Sequence, residues 1–212
     1  MNGRACRGAC MAVGALALIT SIAWSDGDTE RLRARLDPQT ASEVGRVVQE
    51  AREAGLPADA LVSKALEGAG KGAPGPRIVT TVKQYAMALA GARDALGTSS
   101  SSTEIVAGAG ALMVGVPPDS LARLRATRPG KPLVVPLVVL ADLVARKVPA
   151  STATGTVLAA TRAGARDTDL LALREGIEQD IRAGVPPFNA ATLRGRALAP
   201  GTGAMPPARR IP

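Results

Sequence analysis

Six short junctions constrain this chain more than any other feature. Gly55-Leu56-Pro57, Gly72-Ala73-Pro74, Gly115-Val116-Pro117 and Gly184-Val185-Pro186 share one form. Lys147-Val148-Pro149 replaces the glycine, and Gly164-Ala165-Arg166 replaces the proline. Six residues on from the first position stand Leu61, Ile78, Leu121, Ala190, Ala153 and Leu170, in the same order. One physical event accounts for the pattern. A helix ends, and glycine takes the left-handed C′ position without steric cost. The next apolar residue folds back over the helix end. Proline then pre-sets the first turn of the following helix. Each junction is a tight helix–turn–helix corner.

The spacing of the corners points to a repeat. Gly55 to Gly72 is 17 residues, Lys147 to Gly164 is 17, and Gly164 to Gly184 is 20. A helix of about three to four turns plus a corner fits this pitch. Two such helices approach the ~34-residue class of helical repeats. Gly72 to Gly115, at 43 residues, breaks the register with a longer helix and an interruption. The interruption is Thr98-Ser99-Ser100-Ser101-Ser102-Thr103, and Ser101-x-x-Glu104 within it reads as a capping box opening the next helix. A subdomain boundary or a long loop inside one domain accounts for it equally well.

Helical periodicity runs between the corners. Val44, Val47, Val48 and Ala51 share a face, as do Leu61, Val62, Ala65, Leu66 and Ala69. The cleanest stripe is Ile78, Val82, Tyr85, Leu89, Ala92 and Leu96. Ile105–Ala109–Leu112–Val116, Leu133–Leu137–Leu140–Val144 and Leu173–Ile177–Ile181–Val185 repeat it. Sustained strand-like alternation is absent. Leu133–Leu140 is apolar and β-branched enough for a buried strand, but a lone strand has no partner. A helix starting near Lys131, with Pro136 in or near its first turn, is the better reading.

The N-terminus decides the expected compartment. Arg4 and Arg7 precede an uncharged stretch from Met11 to Ala23, then Ala23-Trp24-Ser25, then Asp26, Asp28 and Glu30. That is the layout of a cleaved secretory signal, with the cut after Ser25. The alternative is an uncleaved anchor, but the stretch is shorter than the roughly 20 residues that span a bilayer. Cys6 and Cys10 both fall in this leader. The mature chain then has no thiol for a disulfide, a metal or nucleophilic catalysis, and a bacterial periplasm suits it. Removing residues 1–25 takes away Arg4 and Arg7 and no acid, so the net charge falls from +8 to +6. There is no histidine anywhere, and beyond the leader the aromatics are Tyr85 and Phe188. The core must be built from Ala, Val, Leu and Ile, with little to line an aromatic ligand pocket. Residues 199–212, rich in Pro and Gly and without an acid, are expected to stay disordered.

Motifs for chemistry fail one by one. Glu67-Gly68-Ala69-Gly70-Lys71-Gly72 hints at a phosphate loop, but Ala65 and Gly72 stand where glycine and Ser/Thr are required. Asp26-x-Asp28-x-Glu30 opens like a calcium loop, but Arg31 and Asp37 occupy the glycine and bidentate-glutamate positions. Glu175 and Glu178, with Asp180 nearby, would do acid–base work only if buried and differently tuned. Arg174 and Arg182 flank them, so a solvated face with ion pairs is preferred. Asp142, in the most apolar helix, has Arg146 and Lys147 as local partners. Asp167 and Asp169 suit the positive end of the helix that follows. No serine has a histidine to activate it, and neither G-x-S-x-G nor S-x-x-K occurs. Arg194, Arg196, Arg209 and Arg210 make the end of the chain basic. They are the candidate contacts for an anionic polymer or lipid. The missing aromatic platforms argue against single-stranded nucleic acid.

The expected fold is all-α: antiparallel helical hairpins stacked as a short irregular α-solenoid or bundle. It is divided into a signal peptide (1–25), a first helical subdomain (26–97), a Ser/Thr-rich linker (98–103), a second helical subdomain (104–198) and a disordered tail (199–212). The corners resemble those of helical-repeat proteins in general, which implies architecture and not activity. The expected function is a non-catalytic exported scaffold, without cofactor or metal and without a mature membrane span, that binds a protein or peptide in the cell envelope. The alternatives are adhesion to anionic polymer or lipid through the basic tail, and an enzyme with an unfamiliar carboxylate site. Salt dependence separates adhesion from the scaffold.

Overall fold

The corners set the architecture seen in a computed structural model, which describes residues 26–197. The proposed leader (1–25), residue 198 and the proposed tail (199–212), with Arg209 and Arg210, lie outside the described residues. Gly55, Gly72, Gly115, Gly164 and Gly184, together with Lys147, all have φ between 68° and 96°. At each, two backbone bonds close the helix end. The N–H of the left-handed residue donates to the carbonyl three back, at 2.9–3.1 Å. The next N–H donates to the carbonyl five back: Leu56 to Ala51, Ala73 to Gly68, Val116 to Ala111, Val148 to Leu143, Ala165 to Ala160 and Val185 to Asp180, at 2.8–3.1 Å. This is the Schellman arrangement, six times over. Pro57, Pro74, Pro117 and Pro149 occupy the N-cap position, one residue before the first helical turn. Pro186 stands directly before the last helix.

The described chain is helical throughout, with ten helices and no strand. They are α1 (Asp26–Arg33), α2 (Pro38–Glu53), α3 (Ala58–Gly70), α4 (Gly75–Leu96) and α5 (Ser102–Met113), followed by α6 (Pro118–Thr127), α7 (Val134–Ala145), α8 (Ala150–Arg162), α9 (Asp167–Arg182) and α10 (Pro187–Ala197). At α2 and α5 polar side chains cap instead. Asp37 accepts from Thr40 N at 3.0 Å. Ser101 and Glu104 form a reciprocal capping box. α7 begins at Val134, three residues later than the sequence places it, with Leu133 as N-cap. Pro136 is then third in the helix, where its missing N–H costs nothing because the first N–H groups have no helical partner.

Each helix packs on its successor or on the helix two ahead. α2, α4, α6, α8 and α10 lie against one another in that order, and α5, α7 and α9 do likewise, with α1 on α3. α4, with 22 residues and about 33 Å long, packs against α2, α3, α5 and α6. The periodic stripes face inward: Val44, Leu61, Val82, Leu89, Leu121, Leu137 and Ile177 are fully buried in one cluster. Each such side chain contributes about 1.5–3 kcal/mol of transfer free energy. Small residues set the spacing where helices cross. A Cβ on Gly108 would stand 3.0 Å from Ala92 and Leu96 and 3.2 Å from Leu121, so α5 approaches α4 and α6 through a side-chain-free point. The threonines of α8 supply polar stitches: Thr154 Oγ1 to Ser120 Oγ at 3.1 Å and Thr156 Oγ1 to the Ala191 carbonyl at 3.3 Å. No helix among the described residues is long and apolar enough to cross a membrane.

Candidate functional site

The carboxylates singled out in the sequence are separated by the fold. Glu175 is exposed, while Glu178 is buried. Glu178 is therefore not on a solvated face. Three guanidiniums surround it: Arg146 Nε at 2.7 Å, Arg182 at 3.0 Å and Arg174 Nε at 3.7 Å. Asp142 pairs with Arg174 of α9 at 2.8 Å, and not with its neighbours Arg146 and Lys147. The packing of α7 on α9 brings a partner from another helix closer than any on its own. Asp180 is held by Arg194 through two bonds, 2.8 and 2.9 Å, which lower its carboxyl pKa. Arg194 is thus engaged inside the structure, and Arg196 also has a partner. Asp167 reaches back to Arg128 at 2.9 Å, and Asp169 pairs with Arg166.

A second buried carboxylate has a structural explanation. Burial raises the Glu104 pKa, but the backbone N–H of Ser101, the Arg125 guanidinium and the Leu133 N–H all donate to its carboxylate, and the net effect is to lower it. Arg125 also donates to the Lys131 carbonyl at 3.1 Å. Glu104 so joins the start of α5 to α6 and to the N-cap of α7. Only the local capping box is legible in the sequence, because the partners 21 and 29 residues away exist only in the fold. Among the described residues, no three carboxylates converge as a metal site would require.

Two clefts open at the N-terminal end of the array. One, of about 470 Å³ between α1 and α2, is lined mainly by Leu32, Leu36, Pro38 and Ala41, with Arg33 as its charge. The other, of about 450 Å³ at the α3–α4 corner, combines charge with an apolar floor. Lys64 and Glu67 line it from α3, Lys71 from the C-cap of that helix, and Arg77 and Thr81 from α4, with Ala73, Pro74 and Ile78. The two helices cross closely here, since a Cβ on Gly68 would lie 3.0 Å from Ile78. Lys64 donates to Glu67 at 2.8 Å, and Lys71 donates to the other oxygen of the same carboxylate. Hydrogen bonds from Lys64 and Lys71 bring the Glu67 pKa down to about 2. The Lys64 ammonium also sits over the Tyr85 ring, 5.9 Å from its centroid. Burial, and then the charge of Glu67, raise the tyrosine pKa.

This second cleft is the candidate site, because it joins a concavity to convergent charges and shifted ionisations. Glu67–Gly72, rejected above as a phosphate loop, forms its α3 wall and the start of the corner. Lys64, Glu67 and Lys71 escaped notice as a group in the sequence. Their spacing of three and four residues, which places them on one helix face, was the available signal. Arg77 and Tyr85 joined them only through the corner. No protein-family model, no curated protein and no solved structure matches the chain.

Proposed function

We propose that this protein is an exported, non-catalytic α-solenoid that holds a protein or peptide segment in the cell envelope. The observation that carries the reading is the packing order, in which α2, α4, α6, α8 and α10 lie on one another in turn and α5, α7 and α9 do likewise. Such stacks present extended faces and grooves to a partner. The polar chemistry is consistent with a scaffold. The buried carboxylates Glu104 and Glu178 are each paired with arginines, as structural ion pairs are. The basic end supports adhesion less well, since Arg194 is already committed to Asp180. Export rests on the Arg4/Arg7, Met11–Ala23 and Ala23-Trp24-Ser25 order alone.

The test is affinity capture with chemical cross-linking, using the tagged protein in its native envelope. A defined partner, still recovered after deletion of residues 199–212 and after washing at high salt, is the expected result. Loss of every interaction on that deletion, with helicity unchanged, would replace the scaffold with tail-driven adhesion. N-terminal sequencing of the same material should begin at Asp26, and an intact Met1 on membrane-bound protein would overturn the export reading.

A further inference from the structure

We infer that the α3–α4 corner cleft is an anchor for an acidic side chain of a bound peptide, held by Lys64, Lys71 and Arg77 above the apolar floor around Ile78. This rests on the scaffold reading and names the chemistry of its partner. The charge balance is the first argument. The cleft carries three cations and one carboxylate, a surplus of two positive charges in a concave space of about 450 Å³. Focusing of the field in such a concavity favours a small anion over the surrounding solvent.

The second argument is that a carboxylate already shows what the lysines accept. Glu67 sits between Lys64 and Lys71, and each ammonium gives it one N–H. An ammonium has three donors, so both lysines keep unused N–H groups. Lys71 is 71% exposed. Arg77 is exposed and enters no ion pair among the described residues, so its guanidinium fork is available for bidentate contact. Glu67 acts as an internal anion that holds the two lysines in place and competes with the incoming one.

The third argument separates a carboxylate from a phosphate. Phosphate sites at helix starts use free backbone N–H groups. Here Arg77 N and Ile78 N both donate to the Pro74 carbonyl, at 2.9 and 3.1 Å, and Pro76 has no N–H. Gly75, whose N–H makes no such bond, does not line the cleft, so the donors left within it are side chains. The floor of Ala73, Pro74 and Ile78 adds contact for an apolar neighbour of the acidic residue. A lipid surface would need a broad face, whereas this site is a recess in one corner.

The probe is a fluorescein-labelled peptide of alternating Glu and Leu, with its Gln-for-Glu counterpart as control. Anisotropy is followed with the intact chain at low and at physiological salt. The Glu peptide should bind and the Gln peptide should not. Lys71→Gln and Arg77→Gln should each weaken binding about two- to fivefold, the range for exposed ion pairs. Glu67→Gln should strengthen it by a similar factor, because the internal competitor is gone. These side chains are on the surface, and unchanged far-UV circular dichroism verifies that the variants fold. Equal binding of both peptides would overturn the assignment, as would a Glu67→Gln variant that binds more weakly. Sedimentation with phosphatidylglycerol but not phosphatidylcholine vesicles, lost in Lys71→Gln, would also overturn it in favour of lipid. A native partner captured equally by wild type and by a Lys71→Gln/Arg77→Gln double variant would remove the cleft assignment and leave the scaffold reading standing.

Discussion

Lys147→Gly should stabilise the protein, although it removes a side chain and puts glycine at a helix end. Lys147 has φ 70° and is the one non-glycine with positive φ among the described residues. Its corner is otherwise the same as the five glycine corners. Lys147 N donates to the Val144 carbonyl at 2.9 Å, and Val148 N donates to Leu143 at 3.1 Å. The left-handed conformation costs an L-residue roughly 1–2 kcal/mol. Glycine removes that strain but makes the unfolded chain more flexible, which returns about 0.5–1 kcal/mol. The net gain is about 0.5–1 kcal/mol. The side chain is exposed, so its loss gives up no packing. For a chain of this size the gain is a rise in Tm of about 1–4 °C. The assay is urea unfolding followed by helicity, with Lys147→Ala as the control. Alanine keeps the strain and removes only the side chain, so its midpoint should match wild type. Equal midpoints for glycine and alanine, at unchanged m-value, would show that this corner carries no backbone strain.

The opposite change, Gly55→Val or Gly115→Val, should cost about 1 kcal/mol or more in the same assay, since a β-branched residue is penalised at these φ values of 70° and 96°. An added Cβ there meets nothing within 4 Å, so a loss would be due to the backbone alone. Gly108→Val should cost about 2 kcal/mol for a different reason, because its side chain would press on Ala92, Leu96 and Leu121. Glu104→Gln should cost about 2 kcal/mol by leaving the largely buried Arg125 without its counter-charge, a figure below that for a fully buried pair because Arg125 retains 22% exposure. The folded-state pKa of Glu104 is lowered, so its contribution is complete above the unfolded carboxylate value near ~4.3 and is lost as pH falls through the folded value. Urea midpoints measured below about pH 5 should therefore fall less steeply for Glu104→Gln than for wild type.

The sequence by itself determined the helices and where they turn. The stripe Ile78–Val82–Leu89–Ala92–Leu96 is buried because a 3.6-residue period leaves a helix one apolar face. The corners were legible because a left-handed residue between two helices is a local event, specified by the residues that adopt it. Lys147 fits for the same reason, since the neighbouring Val148 and Pro149 maintain the turn that its own residue type disfavours. Charge partners were not legible in this way. Asp142 bonds Arg174 instead of Arg146, Glu104 serves α6 and α7 as well as its own capping box, and Arg194 is tied to Asp180. Long side chains choose partners by distance in space, and local spacing says nothing about which neighbouring helix supplies them. The corner cleft belongs to the same class. Its α3 face was written in the spacing of Lys64, Glu67 and Lys71, but only the reversal of the chain at Gly72 brought Arg77 into it and the Tyr85 ring beneath Lys64.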